Sequence, residues 1–184
     1  MLRLTSATLA VLLFLGSMLA AGGPSGIWLD VPFVKQEKDG CGAASIAMVM
    51  QYWLRKPGQT PGDNANPVHI QHMLHSRQAG GIYASAMENY LREQNFRTFT
   101  FQGNWSDLEQ HLAKGRPLIV MLKPLHHAPL HYVVTAGLDR AQRLILVNDP
   151  AQRKLVKLDW SSFEKSWNAA GNWTLLAVPQ QAVP

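Results

Sequence analysis

This chain of 184 residues lacks a second cysteine; Cys41 is alone. An internal disulfide is therefore excluded, although small exported domains often depend on such staples. Dense basic blocks are lacking too. Seventeen Lys and Arg against 12 Asp and Glu give a formal charge of only +5, and the cations, such as Lys114, Lys123, Arg143 and Lys157, are scattered. Nucleic-acid surfaces need clustered charge, so no nucleic-acid partner is expected. Beyond the N-terminal stretch no run is apolar enough to span a bilayer. No internal repeat and no second domain shows.

What is present begins with an export pattern. Arg3 precedes the apolar stretch Leu9–Leu15, and small residues follow through Gly16, Ser17, Ala20, Ala21, Gly22 and Gly23. This order is that of a secretory signal, expected over residues 1–22 with cleavage between 20 and 23. The mature chain, about 160 residues, suffices for one core. It is expected in the periplasm or outside the cell, as a monomer with no stable membrane insertion.

Ile27–Val34 contains Pro32 and reads as an edge strand or extended lead-in. Gln36–Gly40 is turn-like. Cys41–Leu54 leaves almost no polar face, which predicts a helix buried on most sides and ended by Lys56-Pro57-Gly58. Asn66 and Pro67 open a short helix running to about His75. Ala84–Glu93 has helical spacing, and Arg97–Phe101 alternates as a strand does. Ser106-Asp107-Leu108-Glu109 has a capping-box pattern, and Lys114-Gly115 closes that helix. Strands are expected over 118–122, 132–138, 144–147, 154–158 and 173–178, with a short helix opening at Ser161. Helices first and an antiparallel sheet second make the fold class α+β.

The lone thiol sits where a polar turn meets the buried helix. Unpaired N–H groups and the helix dipole stabilise negative charge there. Such a seat, beside an imidazolium, brings a cysteine pKa from about 8.5 to roughly 3.5–7.5. Burial as a small apolar residue is the other reading of Cys41. His131 opens the strand His131–Gly137. Asp149 follows the strand Leu144–Val147. If the two strands form a hairpin turning at Asp139–Gln142, His131 and Asp149 lie at the same end, and the carboxylate can orient the imidazole. Gln36, five residues before Cys41, can donate its amide to an oxyanion together with the Cys41 N–H. Gly42 lets a substrate backbone approach closely. His126 and His127 lie in the loop before His131; simple solvent exposure is the commoner fate of such loop residues, and the other reading has them rim the substrate cleft, with His127 as the substrate-binding candidate. His69, His72 and His75 share one helical face, but no acid or thiol accompanies them; no metal site and no cofactor are expected. Trp105, Trp160, Trp167 and Trp173 read as core.

These residues resemble peptidase family C39. The blocks that carry the resemblance are Val31-Pro32-Phe33, Gln36, Cys41-Gly42-Ala43-Ala44-Ser45 with its Met- and Val-rich helix, His131-Tyr132-Val133-Val134, and Asn148-Asp149-Pro150-Ala151. The stretch Leu108–Val120 also matches. The resemblance spans roughly residues 30–160, with the domain expected over 27–180. It implies a papain-like fold with a triad on Cys41, His131 and Asp149 and an oxyanion donor at Gln36. Many relatives are N-terminal domains of peptide-exporting transporters that cut leader peptides after Gly-Gly. This chain resembles the stand-alone exported forms, because no nucleotide-binding motif or membrane domain is present and its Gln36–Cys41 interval is one residue shorter. The expected function is hydrolysis of a peptide or protein substrate, one that is itself secreted or on the surface. The alternatives are a non-catalytic peptide binder of the same fold and a transglutaminase-like acyl transferase.

Overall fold

The computed structural model describes residues 26–55, 62–124 and 129–180. The expected signal segment, the Lys56-Pro57-Gly58 stop, His126 and His127 lie outside these residues. The elements run β1 (Gly26–Trp28), α1 (Cys41–Leu54), α2 (Pro67–Leu74), α3 (Ala84–Glu93), β2 (Phe96–Gln102), α4 (Trp105–Ala113), β3 (Leu118–Leu122), β4 (His131–Asp139), β5 (Leu144–Asn148), β6 (Val156–Asp159), α5 (Trp160–Asn168) and β7 (Trp173–Pro179). A one-turn 3-10 helix, Asp63–Ala65, precedes α2.

The strands form one antiparallel sheet in the order β2-β7-β3-β4-β5-β6, and β1 pairs with the far end of β4. Alternation along the strands splits the core. On one face Ile119, Tyr132, Val134, Ala136, Leu175 and Ala177 pack against α1 and, beyond it, Ile70, Met87 and Leu91 of α2 and α3. On the other face Leu118, Val120, Val133, Ile145 and Leu176 pack against Phe163 and Trp167 of α5 and Leu108 of α4. The α+β class is as expected; helices cover both faces of the sheet.

Helix α1 is central because its sequence leaves it no face to show water. Gly42 through Met50 are all buried. Each of Ile46, Met48, Val49 and Met50 contributes about 1.5–3 kcal/mol by leaving water. Trp53 donates its indole N–H to Ala177 O at 3.0 Å, and Tyr52 its hydroxyl to Gly115 O at 2.9 Å, so the C-terminal end is pinned as well.

Three local expectations are corrected. The capping box of α4 is Asn104 with Asp107, two residues before Ser106 with Glu109. The earlier frame wins because Trp105 enters the helix and stacks on Trp160, 4.6 Å between ring centroids, while its indole N–H reaches Glu164. Helix α5 likewise starts early, at Trp160, capped by Asp159. Strand β6 starts at Val156 instead of residue 154, because Leu155 adopts φ 53° while its N–H is drawn to Asn148 Oδ1 at 3.0 Å.

A β-bulge in the β4–β5 hairpin sets the site. Gly137 pairs with Leu146 and Thr135 with Val147, so Ala136 is the extra residue. The bulge advances β5 by one position, which brings the residues after Asn148 closer to the start of β4. Gly137 beside it has no room for a side chain: a Cβ would lie 2.6 Å from Ile27 O.

Candidate active site

Cys41 is the first residue of α1, and that helix start is bare. Its N-cap is Gly40, no side chain caps it, and its first turn holds no acid. By contrast α2, α4 and α5 are capped by Asn66, Asn104 and Asp159. The N–H groups and positive dipole end of α1 are thus left for the thiol.

His131 is brought to the thiol by the sheet. It opens β4, pairs with Leu122 of β3, and is largely buried. Its imidazole is close enough to the Cys41 thiol for each to shift the other's titration. Its Nε2 lies 2.7 Å from Asp149 Oδ1. Asp149 is 6% exposed and both its carboxylate oxygens are engaged: Oδ1 also accepts the Ala151 N–H at 2.9 Å, and Oδ2 accepts the Gln152 side-chain amide. Cys41, His131 and Asp149 are therefore brought together, with the imidazole between thiol and carboxylate.

The electrostatics follow from this arrangement. Burial pushes the Cys41 thiol up. The hydrogen bond from His131, the Tyr132 and Gly42 N–H groups and the imidazolium charge outweigh it and hold the thiol below its ordinary value. Burial pulls His131 down, but hydrogen bonds and charge from Asp149 and Cys41 raise it to about 9. Burial pushes the Asp149 carboxyl up, and His131, Ala151 and Gln152 hold it below the usual range. Burial lifts the neighbouring Tyr132 phenol to about 12, with the thiolate adding to the shift, so it stays neutral. Both shifts favour a thiolate–imidazolium pair over the neutral pair: a nucleophile with its proton donor beside it.

Asn148 ties the site to the lead-in. It is fully buried, donates to Val31 O at 3.1 Å and Pro32 O at 3.3 Å, and accepts from Leu155 N–H. The Gln36 N–H then donates to Pro150 O at 3.0 Å, which sets Gln36 beside the turn that carries Asp149. Gln36 Oε1 is buried without a partner. Among the described residues its side-chain amide makes no hydrogen bond, so both N–H donors are free.

Gly42 is buried, and a Cβ there would lie 3.1 Å from Ile82 Cβ, so packing within the chain favours its small size. His127 lies outside the described residues. His72 and His75 border an open groove with Lys38 and Arg77, and among the described residues no group of three His, Cys, Asp or Glu side chains is close enough to hold a metal. Sequence reading missed Gln152, whose spacing from Asp149 carries no known pattern. It also gave Asn148 no role, although an asparagine ending the apolar run Leu-Ile-Leu-Val is a signal of a buried polar tie.

A helix-borne thiol facing a histidine on an antiparallel sheet is the arrangement of the papain-like cysteine peptidases. The family model described as "Peptidase_C39 like family" matches residues 28–175. The chain belongs to this C39-like peptidase family. Solved structures agree in fold. A C39-like peptidase from Bacillus anthracis is 19% identical with a TM-score of 0.61, covering 83% of this chain and 97% of that one. The peptidase domain of Streptococcus ComA, a bifunctional ABC transporter of quorum sensing, is 16% identical with a TM-score of 0.64, covering 82% and 98%. A double-glycine-motif protease from an AMS/PCAT transporter, solved with a leader peptide, is 22% identical with a TM-score of 0.59, covering 83% and 94%. No curated protein matches.

Proposed function

We propose that this chain is an exported cysteine peptidase that hydrolyses peptide bonds with Cys41 as nucleophile, His131 as acid and base, and Asp149 as the group that orients and charges the imidazole. The observation that carries the reading is the His131–Asp149 contact at 2.7 Å beside the Cys41 thiol, with the thiol lowered and His131 raised to about 9.

The Cys41 thiolate attacks the peptide carbonyl, and the carbonyl oxygen becomes an oxyanion. The Cys41 N–H at the uncapped start of α1 and the free side-chain amide of Gln36 donate to it, each such donor being worth about 3 kcal/mol in the transition state. His131 gives its proton to the leaving amine, which departs and leaves a thioester. Neutral His131 then takes a proton from water, the hydroxide adds to the thioester, and collapse releases the acid and regenerates the ion pair. No step calls for a cofactor.

The substrate class is an extended peptide segment with small residues at the cut. The leader peptide bound by the related double-glycine-motif protease supports a peptide substrate of this kind. The export pattern of residues 1–22 supports a location in the periplasm or outside the cell, where a secreted or surface protein would be the substrate. Incubating the purified chain and its Cys41→Ala variant with a proteome-derived peptide library, read by mass spectrometry, tests the proposal. Cuts made by the wild type and absent from the variant are expected. A library left intact by both, or cut equally by both, defeats it.

A further inference from the structure

Asp149 opens a tight turn that closes on itself. Its N–H donates to Arg153 O at 3.2 Å, and the Gln152 N–H donates to Asp149 O at 3.0 Å. The turn folds the Gln152 side chain back over the carboxylate, where Nε2 donates to Oδ2. Oδ1 meanwhile faces His131 Nε2 at 2.7 Å and takes the Ala151 N–H at 2.9 Å. The two oxygens thus have separate tasks: one serves the imidazole, the other is held by an amide. A carboxylate with Oδ2 free can turn about its Cβ–Cγ bond and take water as a partner. Here Gln152, itself at the surface, covers an Asp149 that is only 6% exposed.

We propose that Gln152 is a positioning residue for the Asp149–His131 couple, pinning Oδ2 so that Oδ1 stays aimed at His131. This rests on the triad reading above. A neutral donor suits the place. A cation there would compete with His131 for the carboxylate, and an acid would repel it. The ionisable groups acting on the couple are its two members and Cys41, which reaches His131 from α1.

The test is the rate of Cys41 alkylation by iodoacetamide as a function of pH, with the His131 Cε1–H titration followed by NMR. Purified wild type is compared with Gln152→Leu, Gln152→Glu and the neighbouring control Arg153→Ala. In Gln152→Leu the imidazolium is held less firmly. Its titration is expected to fall by about half a unit, and alkylation at neutral pH to slow about threefold, a fraction of the effect of losing one hydrogen bond to a charged group because it reaches His131 only through Asp149. In Gln152→Glu the crowded carboxylates take up a proton more readily, so the acid limb of the profile rises. Arg153→Ala matches the wild type. A merely structural Gln152 would lower the melting temperature and leave both limbs where they are, and that result overturns the proposal. A wild-type Cys41 no faster than free cysteine overturns the triad reading and this proposal together. A fast wild type with unmoved Gln152 variants overturns the role of Gln152 alone.

Discussion

His131 Nε2 stands 2.7 Å from Asp149 Oδ1, between residues 18 apart in the chain that a single hairpin brings to one end of the sheet. The turn at residues 140–143 makes the hairpin, and the bulge at Ala136 trims its register. The imidazole therefore has its partner fixed before any substrate arrives.

The charge on that imidazole has a pH window. His131 is raised to about 9, so the stability gained from its pairing is complete below about 6.5, the value in an unfolded chain, and is lost as pH rises through 9. Asp149 is depressed, so its contribution is present above about 3.9 and lost as pH falls through its folded value. The reactive ion pair also needs a charged His131. Activity is expected to fall above about pH 9 and again in acid as the thiolate is protonated. A pH profile of kcat/KM checks both limbs.

Replacing Asp149 by Asn removes the charge that raises His131. The upper limb is expected to fall toward about 6.5, with kcat/KM lower by about 10²–10⁴-fold. Steady-state kinetics on a cleaved peptide from the library measures both.

Gln36 is separable from the nucleophile. Gln36→Ala is expected to lower kcat about 10²-fold or more through loss of an oxyanion donor. Alkylation of Cys41, which forms no oxyanion, should keep its wild-type rate. A parallel loss in both assays would place Gln36 in thiolate formation instead.

The bulge and the polar tie are predicted to carry stability. Gly137→Ala drives a Cβ into Ile27 O and should cost about 1–3 kcal/mol, displacing β1. Asn148→Ala strands Val31 O, Pro32 O and Leu155 N–H and should cost about 3 kcal/mol. Urea unfolding followed by circular dichroism reads both.

How much of this was legible in the sequence depends on what carried each feature. Helix α1 was readable to the residue, because a polar turn gives way abruptly to an apolar run at Cys41. Hairpin β4–β5 was readable from two apolar strands around a polar turn. The bulge at Ala136 was not, since nothing local marks an extra residue in a strand buried on both faces. The α4 cap was misplaced because Asn104/Asp107 and Ser106/Glu109 are overlapping signals, and a distant partner, Trp160, decides between them. The placing of Cys41, His131 and Asp149 at element boundaries was legible, each beside an abrupt change from polar to apolar sequence. Gln152 was not, because an exposed glutamine acquires a role only through the turn that folds it back.

The central claim is that Cys41 rests as a thiolate because His131 is charged beside it. Ultraviolet absorbance of the thiolate, titrated with pH in the wild type and in His131→Ala, tests it most directly. The account predicts a wild-type thiolate forming well below about 8.5, and a shift to or above that value in the variant. A wild-type thiol titrating near 8.5, unmoved by loss of the imidazole, would contradict it.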